Sequence, residues 1–137
     1  MERRVQHDAE AVDRGALSGE LLQFAQVVGN HEVAHAAHIR KVLGAKAPRP
    51  TSFDFGDVTS DPAGFTRAAI DLEDLGVGAY NGLATTMTTD TLADAARIVS
   101  VEARHAAWIR DLAGKVPAPH AQDIPLSARQ ATAALRR

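Results

Sequence analysis

Hydrophobic and polar positions recur along this chain with the period of an α-helix. In five stretches, apolar residues repeat at spacings of three, four and seven, which places them on one helical face. Gly, Pro and cap-forming Ser or Thr residues separate the stretches. The pattern predicts four long helices and a short C-terminal one, over residues 1–14, 20–43, 62–86, 90–113 and 128–135.

The connector between the second and third helices, residues 45–61, has no helical period. It contains Pro48 and Pro50, and Phe53 and Phe55 alternate with polar residues, which suggests a short extended piece. A connector this long can carry the chain from one end of a helical bundle to the other. In the third helix, we expect the glycines to allow close backbone approach to a neighbouring helix: Gly76, Gly78 and Gly82.

The second and fourth helices contain similar sequences seventy residues apart. Each has a Glu-x-x-His pair, Glu32 with His35 and Glu102 with His105. Residues three apart lie on one helical face, so the carboxylate and the imidazole of each pair can hold one side of a metal ion. The chain therefore reads as two copies of a helical hairpin, about 1–44 and 63–114, in one domain with a tail over 115–137.

Each copy should also supply a carboxylate from its first helix. Glu73 precedes Glu102 by 29 residues, and Glu2 precedes Glu32 by 30. An exposed position is the ordinary interpretation of a single Glu. Here the pairs share their faces with Leu, Val and Ile, and buried acids need compensation, which divalent metals provide. The predicted metal ligands are Glu2, Glu32, His35, Glu73, Glu102 and His105.

Composition and charge narrow the class of protein. The 137 residues suit one domain, and 45% hydrophobic but only 4% aromatic residues favour packed helices over a β-sandwich. A net charge of −2 gives no sign of the basic surface that a nucleic-acid-binding protein needs. The lack of Cys excludes disulfides, iron–sulfur ligation and thiolate zinc sites. With neither a membrane-length apolar run nor a signal-peptide core, we expect a cytoplasmic protein, or an exported one if a segment precedes Met1.

Residues 31–35 also match the His-Glu-x-x-His motif of zinc peptidases. In that alternative, His31 and His35 bind zinc and Glu32 is the general base. The second copy has Val101 at the position of His31, which keeps only Glu-x-x-His, and the chain has no evident strand to bind a peptide. The repeat therefore favours the first interpretation. Three other histidines are predicted to lie on the surface: His7, His38 and His120.

The two Glu-x-x-His pairs, each with a Glu on the preceding helix, resemble the ferritin-like di-iron carboxylate proteins. The resemblance covers Glu2 to Gly114. Within that superfamily, the run 11–21, the long connector and the tail 123–129 are most similar to small bacterial ferritin-like proteins related to plant desiccation-related proteins. The implied fold is an all-α, four-helix bundle with a crossover between the second and third helices and a short C-terminal helix. An irregular helical domain with exposed acids is the alternative.

The resemblance also implies roles. Glu32 and Glu102 would bridge or chelate two metal ions, Glu2 and Glu73 would be terminal ligands, and each histidine would bind one ion. Tyr80 resembles a tyrosine found near such centres. The implied cofactors are two iron ions, or manganese or zinc, and the implied chemistry is Fe(II) oxidation by oxygen or peroxide in stress protection. Subunit contacts leave no clear mark in the sequence, so a homodimer is only the default expectation. A stress-related structural or interaction protein with a weak or empty site is the second hypothesis.

Three departures from the family pattern matter. Where better-known members often place Asp before Glu-x-x-His, this chain has His31 and Val101, which removes carboxylates that support the ligand histidines. Ala9 stands where the first copy would match Tyr80. Glu2 lies in the first turn of its helix, where amides lack helical partners and packing is sparse. We therefore expect the Glu2 side of the centre to bind metal more weakly.

Overall fold

The computed structural model describes residues 1–49 and 52–135, so Pro50 of the connector lies outside the described residues. No strand occurs in these two ranges. One-turn 3-10 helices follow the second and third α-helices, at Gly44–Lys46 and Ala84–Thr86. The all-α class predicted from the sequence is confirmed. The α-helices are α1 (Glu2–Asp13), α2 (Gly19–Leu43), α3 (Pro62–Leu83), α4 (Thr89–Leu112) and α5 (Ala128–Ala134).

Side-chain capping accounts for the starts of α3 and α4, whereas the N-cap residues of α1 and α2 make no side-chain cap hydrogen bond. Asp61 accepts hydrogen bonds from the backbone amides of residues 63 and 64 at 2.9 and 2.8 Å, and Pro62, which has no amide hydrogen, takes the first helical position of α3. The cap of α4 is Thr88, whose hydroxyl accepts from the Thr91 amide at 3.4 Å. The helix therefore begins at Thr89, one residue before the predicted start at residue 90.

The chain divides into two compact units, Met1–Ala69 and Ile70–Arg137. The first unit contains α1, α2, the connector and the first turns of α3; the second contains the rest of α3, α4, the tail and α5. The boundary falls inside α3, near the start of the second copy of the sequence repeat. That residues 1–137 form a single domain remains a prediction.

Aromatic rings form the core of the first unit, where α1 packs on α2. Phe24 and Phe65 are fully buried and meet edge to face, with ring centroids 6.3 Å apart. The imidazole of His7 stacks on Phe65 with a centroid distance of 4.6 Å and also contacts the ring of Phe55 at 5.3 Å. The prediction that His7 lies on the surface is therefore wrong, whereas His38 and His120 are exposed as expected.

The buried face of α1 differs from the face that its apolar residues predict. Its apolar residues Val5, Ala9 and Val12 recur at helical spacings in the sequence and so predict an inward face, but the buried residues are Arg4, His7, Asp8 and Ala11. Both sets of residues recur at helical spacings, and hydrophobicity alone would favour burial of the apolar set. Polar side chains can be buried when they pair with one another, and that pairing selects the observed face.

In the second unit, the tail lies against a face of α3 that two glycines leave bare. The Leu126 amide donates a hydrogen bond to the Gly78 carbonyl at 2.8 Å. A Cβ atom on Gly82 would lie 1.8 Å from the Leu126 carbonyl oxygen. The expected close approach is therefore present at these two positions, but the neighbour is the extended tail instead of a helix. The tail then enters α5 through a capping box of Ser127 and Gln130.

Candidate metal centre

Three potential metal ligands meet in the second unit. Glu73 comes from α3, and Glu102 and His105 come from one face of α4, one turn apart. The His105 Nδ1 atom lies 3.5 Å from Glu73 Oε2 and 3.6 Å from Glu102 Oε2. One donor atom from each residue lies within 4.8 Å of those of the other two. All three side chains are buried, at 2%, 0% and 3% exposure. The sequence predicted each of them as a ligand.

Electrostatics in this cluster favour a cation. Burial by itself would lower the pKa of His105, but its interactions with the carboxylates of Glu102 and Glu73 outweigh burial and raise that pKa to about 9. In the metal-free protein, the imidazolium therefore offsets part of the carboxylate charge. Two carboxylate oxygens and one imidazole nitrogen also form a donor set that suits iron, manganese or zinc. The residues present thus fit a divalent metal ion, and this buried cluster could hold one.

In the first unit, the Glu of the Glu-x-x-His pair contacts an arginine as well as its histidine. Glu32 is fully buried, and its Oε1 atom lies 3.6 Å from Nδ1 of His35. Its Oε2 atom forms an ion pair with Nε of Arg4 at 3.0 Å, and Arg4 is itself only 4% exposed. The sequence interpretation missed Arg4, because an Arg is ordinarily assigned to the surface. Its helical spacing from His7 and Ala11, at i+3 and i+7, was the available signal.

Glu2 and Tyr80 remain predictions as site residues. Glu2 forms an ion pair with Arg40 of α2, and its side chain is 23% exposed, off the buried face of α1. Tyr80 is half-buried on α3, seven residues after Glu73. Neither position tests the role that the family resemblance assigns to the residue.

The zinc-peptidase alternative gains no support from the first unit. His31 is exposed, while Glu32 is buried against Arg4 and so lacks the access to solvent that a general base for water needs. The rings of His31 and His35 lie 6.5 Å apart between centroids. No strand that could pair with a peptide occurs among the described residues.

A second buried polar pair was also missed. The Nδ1 atom of His7 lies 2.9 Å from Oδ1 of Asp8, and both residues are at most 3% exposed. Burial raises the pKa of the Asp8 carboxyl, and the hydrogen bond with His7 opposes that rise. Gly29 of α2 makes room for this pair, since a Cβ there would lie 3.3 Å from Asp8 Cβ. Adjacent His and Asp residues carry no spacing signal that would have indicated burial.

Comparison with known proteins agrees with this geometry. The family model described as the ferritin-like domain matches residues 3–115, which contain α2 to α4, all of α1 except Glu2, and five of the six predicted ligands. No curated protein and no solved structure matches the chain. None of the helices among the described residues is both long enough and apolar enough to cross a membrane. The resemblance stated from the sequence is confirmed: the chain belongs to the ferritin-like domain family.

Proposed function

We propose that this protein binds two redox-active divalent metal ions, iron foremost, and oxidises Fe(II) with oxygen or peroxide. The observation that carries the proposal is the buried cluster of Glu73, Glu102 and His105, whose three donor atoms lie within 4.8 Å of one another. Burying two carboxylates without a cation would be strongly destabilising. Membership in the ferritin-like domain family supports the same chemistry.

The proposed ligand set extends the cluster with the first copy of the repeat. Glu32 and His35 repeat the spacing of Glu102 and His105, and Glu32 is also fully buried. Manganese or zinc is the alternative metal, because the same oxygen and nitrogen donors bind them. Tyr80 is proposed as the nearby redox-active side chain. The complete set of proposed ligands is Glu2, Glu32, His35, Glu73, Glu102 and His105.

The protein's own groups have definable tasks in this chemistry. Bound iron would supply the electrons that reduce oxygen or peroxide. The carboxylates of Glu73 and Glu102 balance the charge of the metal, and their burial keeps bulk water from competing for it. His105 must lose its proton from Nδ1 before that atom can act as a ligand, so metal binding releases a proton below pH 9.

Anaerobic titration with Fe(II), followed by oxygen, tests the proposal. We expect two equivalents at saturation and an absorbance rise in the near ultraviolet when oxygen is added. Glu102→Gln should weaken Fe(II) binding by at least about tenfold, because it removes a buried charged ligand. Glu20→Gln is the matched control, because Glu20 is an exposed carboxylate in the first turn of α2. Failure of the wild-type protein to bind Fe(II) would refute the proposal.

A specific observation favours the second candidate, a structural or interaction protein that works without metal. Arg4 already balances the charge of Glu32, and the raised pKa of His105 lets an imidazolium balance part of the charge of Glu73 and Glu102. Internal cations thus offset the buried acids even in the metal-free protein. The same titration distinguishes the two candidates, because a structural role predicts no bound Fe(II) and no response to oxygen.

A further inference from the structure

A cleft of about 280 Å³ lies between α1 and α2 in the first unit. Its wall includes the apolar residues of α1 that stay out of the core: Val5, Ala9 and Val12. On the side of α2 it includes Val33, which is 54% exposed. A bound apolar group would remove these side chains from water, which is favourable. The cleft therefore suits a ligand with an apolar body.

A buried carboxylate lines the same cleft. Asp8 is 3% exposed, and its Oδ1 atom lies 2.9 Å from Nδ1 of His7. No described residue gives the Oδ2 atom of Asp8 a hydrogen bond. Oδ2 lies on the side of Gly29, which also lines the cleft, because a Cβ added to Gly29 would lie 3.9 Å from it. Since Gly29 has no side chain, a hydrogen-bond donor of a ligand can approach Oδ2 beside it, and a buried acceptor of this kind calls for a donor.

The charges around the cleft favour a cation. Asp13 also lines the cleft and is exposed, and the described residues that line it include no Lys, Arg or His. Burial raises the pKa of the Asp8 carboxyl, although the nearby His7 and Arg4 act to lower it. The protein's own cations therefore do not fully stabilise the charged form of Asp8. A positive group on a ligand would supply both a charge and a donor.

An organic cation fits this position better than a metal ion. Among the described residues, Asp8 belongs to no group of three or more His, Asp or Glu side chains whose donor atoms could share an ion. Apolar side chains form much of the wall, and they cannot replace the oxygen ligands of a hydrated metal ion. An alkylammonium ion instead carries three N–H donors on an apolar chain. The ligand chemistry that matches the cleft is therefore that of an aliphatic amine.

We propose that the cleft between α1 and α2 binds a linear aliphatic diamine, with one ammonium group on Asp8 Oδ2 and the other near Asp13. The methylene chain between them packs on Val5, Ala9 and Val12. Asp8 and Asp13 are five residues apart, which separates them by about 7.5 Å along the helix axis alone, so a short diamine cannot reach both. None of the proposed metal ligands lines the cleft, so this site does not depend on the proposed function.

Calorimetric titration with the α,ω-diamine of hexane tests the proposal, with the NMR signal of the Gly29 amide as the local readout. We expect saturable binding and a shift of that signal. Hexylamine should bind about threefold more weakly, because it leaves the exposed Asp13 unpaired. Hexanediol should bind at least about tenfold more weakly than hexylamine, because it has the same chain and no charge. The diamine of propane should bind no better than hexylamine.

Two variants test the two walls of the site. Asp8→Asn keeps the size of the side chain but removes its charge, and it should weaken binding of the hexane diamine at least about tenfold. Gly29→Ala fills the space beside Oδ2 without a change of charge, and it should weaken binding to a similar extent even if Asp8→Asn fails to fold. Asp111→Asn is the matched control, because Asp111 is an exposed carboxylate on α4 whose loss should leave the affinity unchanged.

Several results would overturn the proposal. They are a lack of saturable diamine binding up to about 10 mM, equal affinity for hexanediol, and an affinity that Asp8→Asn and Gly29→Ala leave unchanged. An equal loss of affinity in Asp111→Asn would also overturn it, because the attraction would then be unspecific. A Gly29 signal that shifts with protein concentration but not with diamine would mean that a second copy of the chain covers the cleft, and the proposal would fail.

Discussion

Gly82→Ala should release the C-terminal tail from α3 without unfolding the helix. The added Cβ would lie 1.8 Å from the Leu126 carbonyl oxygen and 2.5 Å from its carbon, far inside van der Waals contact. Both clashing atoms belong to the backbone, so a change of side-chain rotamer gives no relief. The tail must move, and the hydrogen bond from the Leu126 amide to the Gly78 carbonyl must break with it.

The size of the effect follows from what the tail loses. One backbone hydrogen bond contributes about 1 kcal/mol, and the partial burial of Leu126 contributes about another 1 kcal/mol. Ala in place of Gly stabilises the helix by about 0.5–1 kcal/mol. We therefore expect a net loss of about 1–1.5 kcal/mol, together with local opening of the tail. The Leu126 amide, protected by about 2 kcal/mol in the wild type, should exchange about thirtyfold faster.

Native-state hydrogen exchange, read at the Leu126 amide, is the assay. Gly29→Ala is the matched control, because it places the same methyl group in the middle of α2, where it would meet Asp8 Cβ at 3.3 Å and need a shift of only a few tenths of an ångström. It should leave the exchange rate of Leu126 unchanged. Equal protection of Leu126 in Gly82→Ala and in the wild type would refute the packing argument, since the two backbones could not then be so close.

Two further predictions concern the site, and a third concerns an ion pair between α3 and α4. In the metal-free protein, protonated His105 should contribute up to about 3 kcal/mol to the free energy of unfolding below its unfolded pKa of 6.5, and this contribution should be lost as the pH rises through about 9. Urea unfolding at several pH values measures it, and His105→Gln should flatten the pH dependence. Glu73→Ala should impair Fe(II) binding more than Glu2→Ala in parallel titrations, because Glu73 is buried and Glu2 is partly exposed; equal losses would contradict this. Arg110→Ala removes a partly exposed ion pair with Asp74 and should lower the free energy of unfolding by only about 0.5–1 kcal/mol, measured by thermal denaturation.

Helix positions could be predicted closely, because local rules determine them. The predicted range 20–43 for the second helix became Gly19–Leu43, and 62–86 became Pro62–Leu83 with a further 3-10 turn to Thr86. Apolar period, proline placement and capping residues all act within a few positions along the chain. Burial of Glu73, Glu102 and His105 was also predictable, because the repeat supplied evidence that no single Glu-x-x-His could provide.

The buried face of α1 was not predictable by the same means. Its apolar residues and its buried residues both follow helical spacing, and they lie on different faces. The choice depends on partners distant in sequence, since Arg4 pairs with Glu32 and His7 stacks on Phe65. A hydrophobicity pattern ranks each residue alone and assigns Arg4 and His7 to solvent. Only the contacts with Glu32 and Phe65 explain why Arg4 and His7 are buried.

The pairing of Arg4 also shows why similar motifs need not give equal halves of a site. Each copy buries the Glu of its Glu-x-x-His pair and must compensate the charge of that Glu, but the group described in contact with it differs between the copies. Glu32 meets a guanidinium, whose charge is permanent, whereas Glu102 meets the imidazole of His105, whose charge is lost on deprotonation.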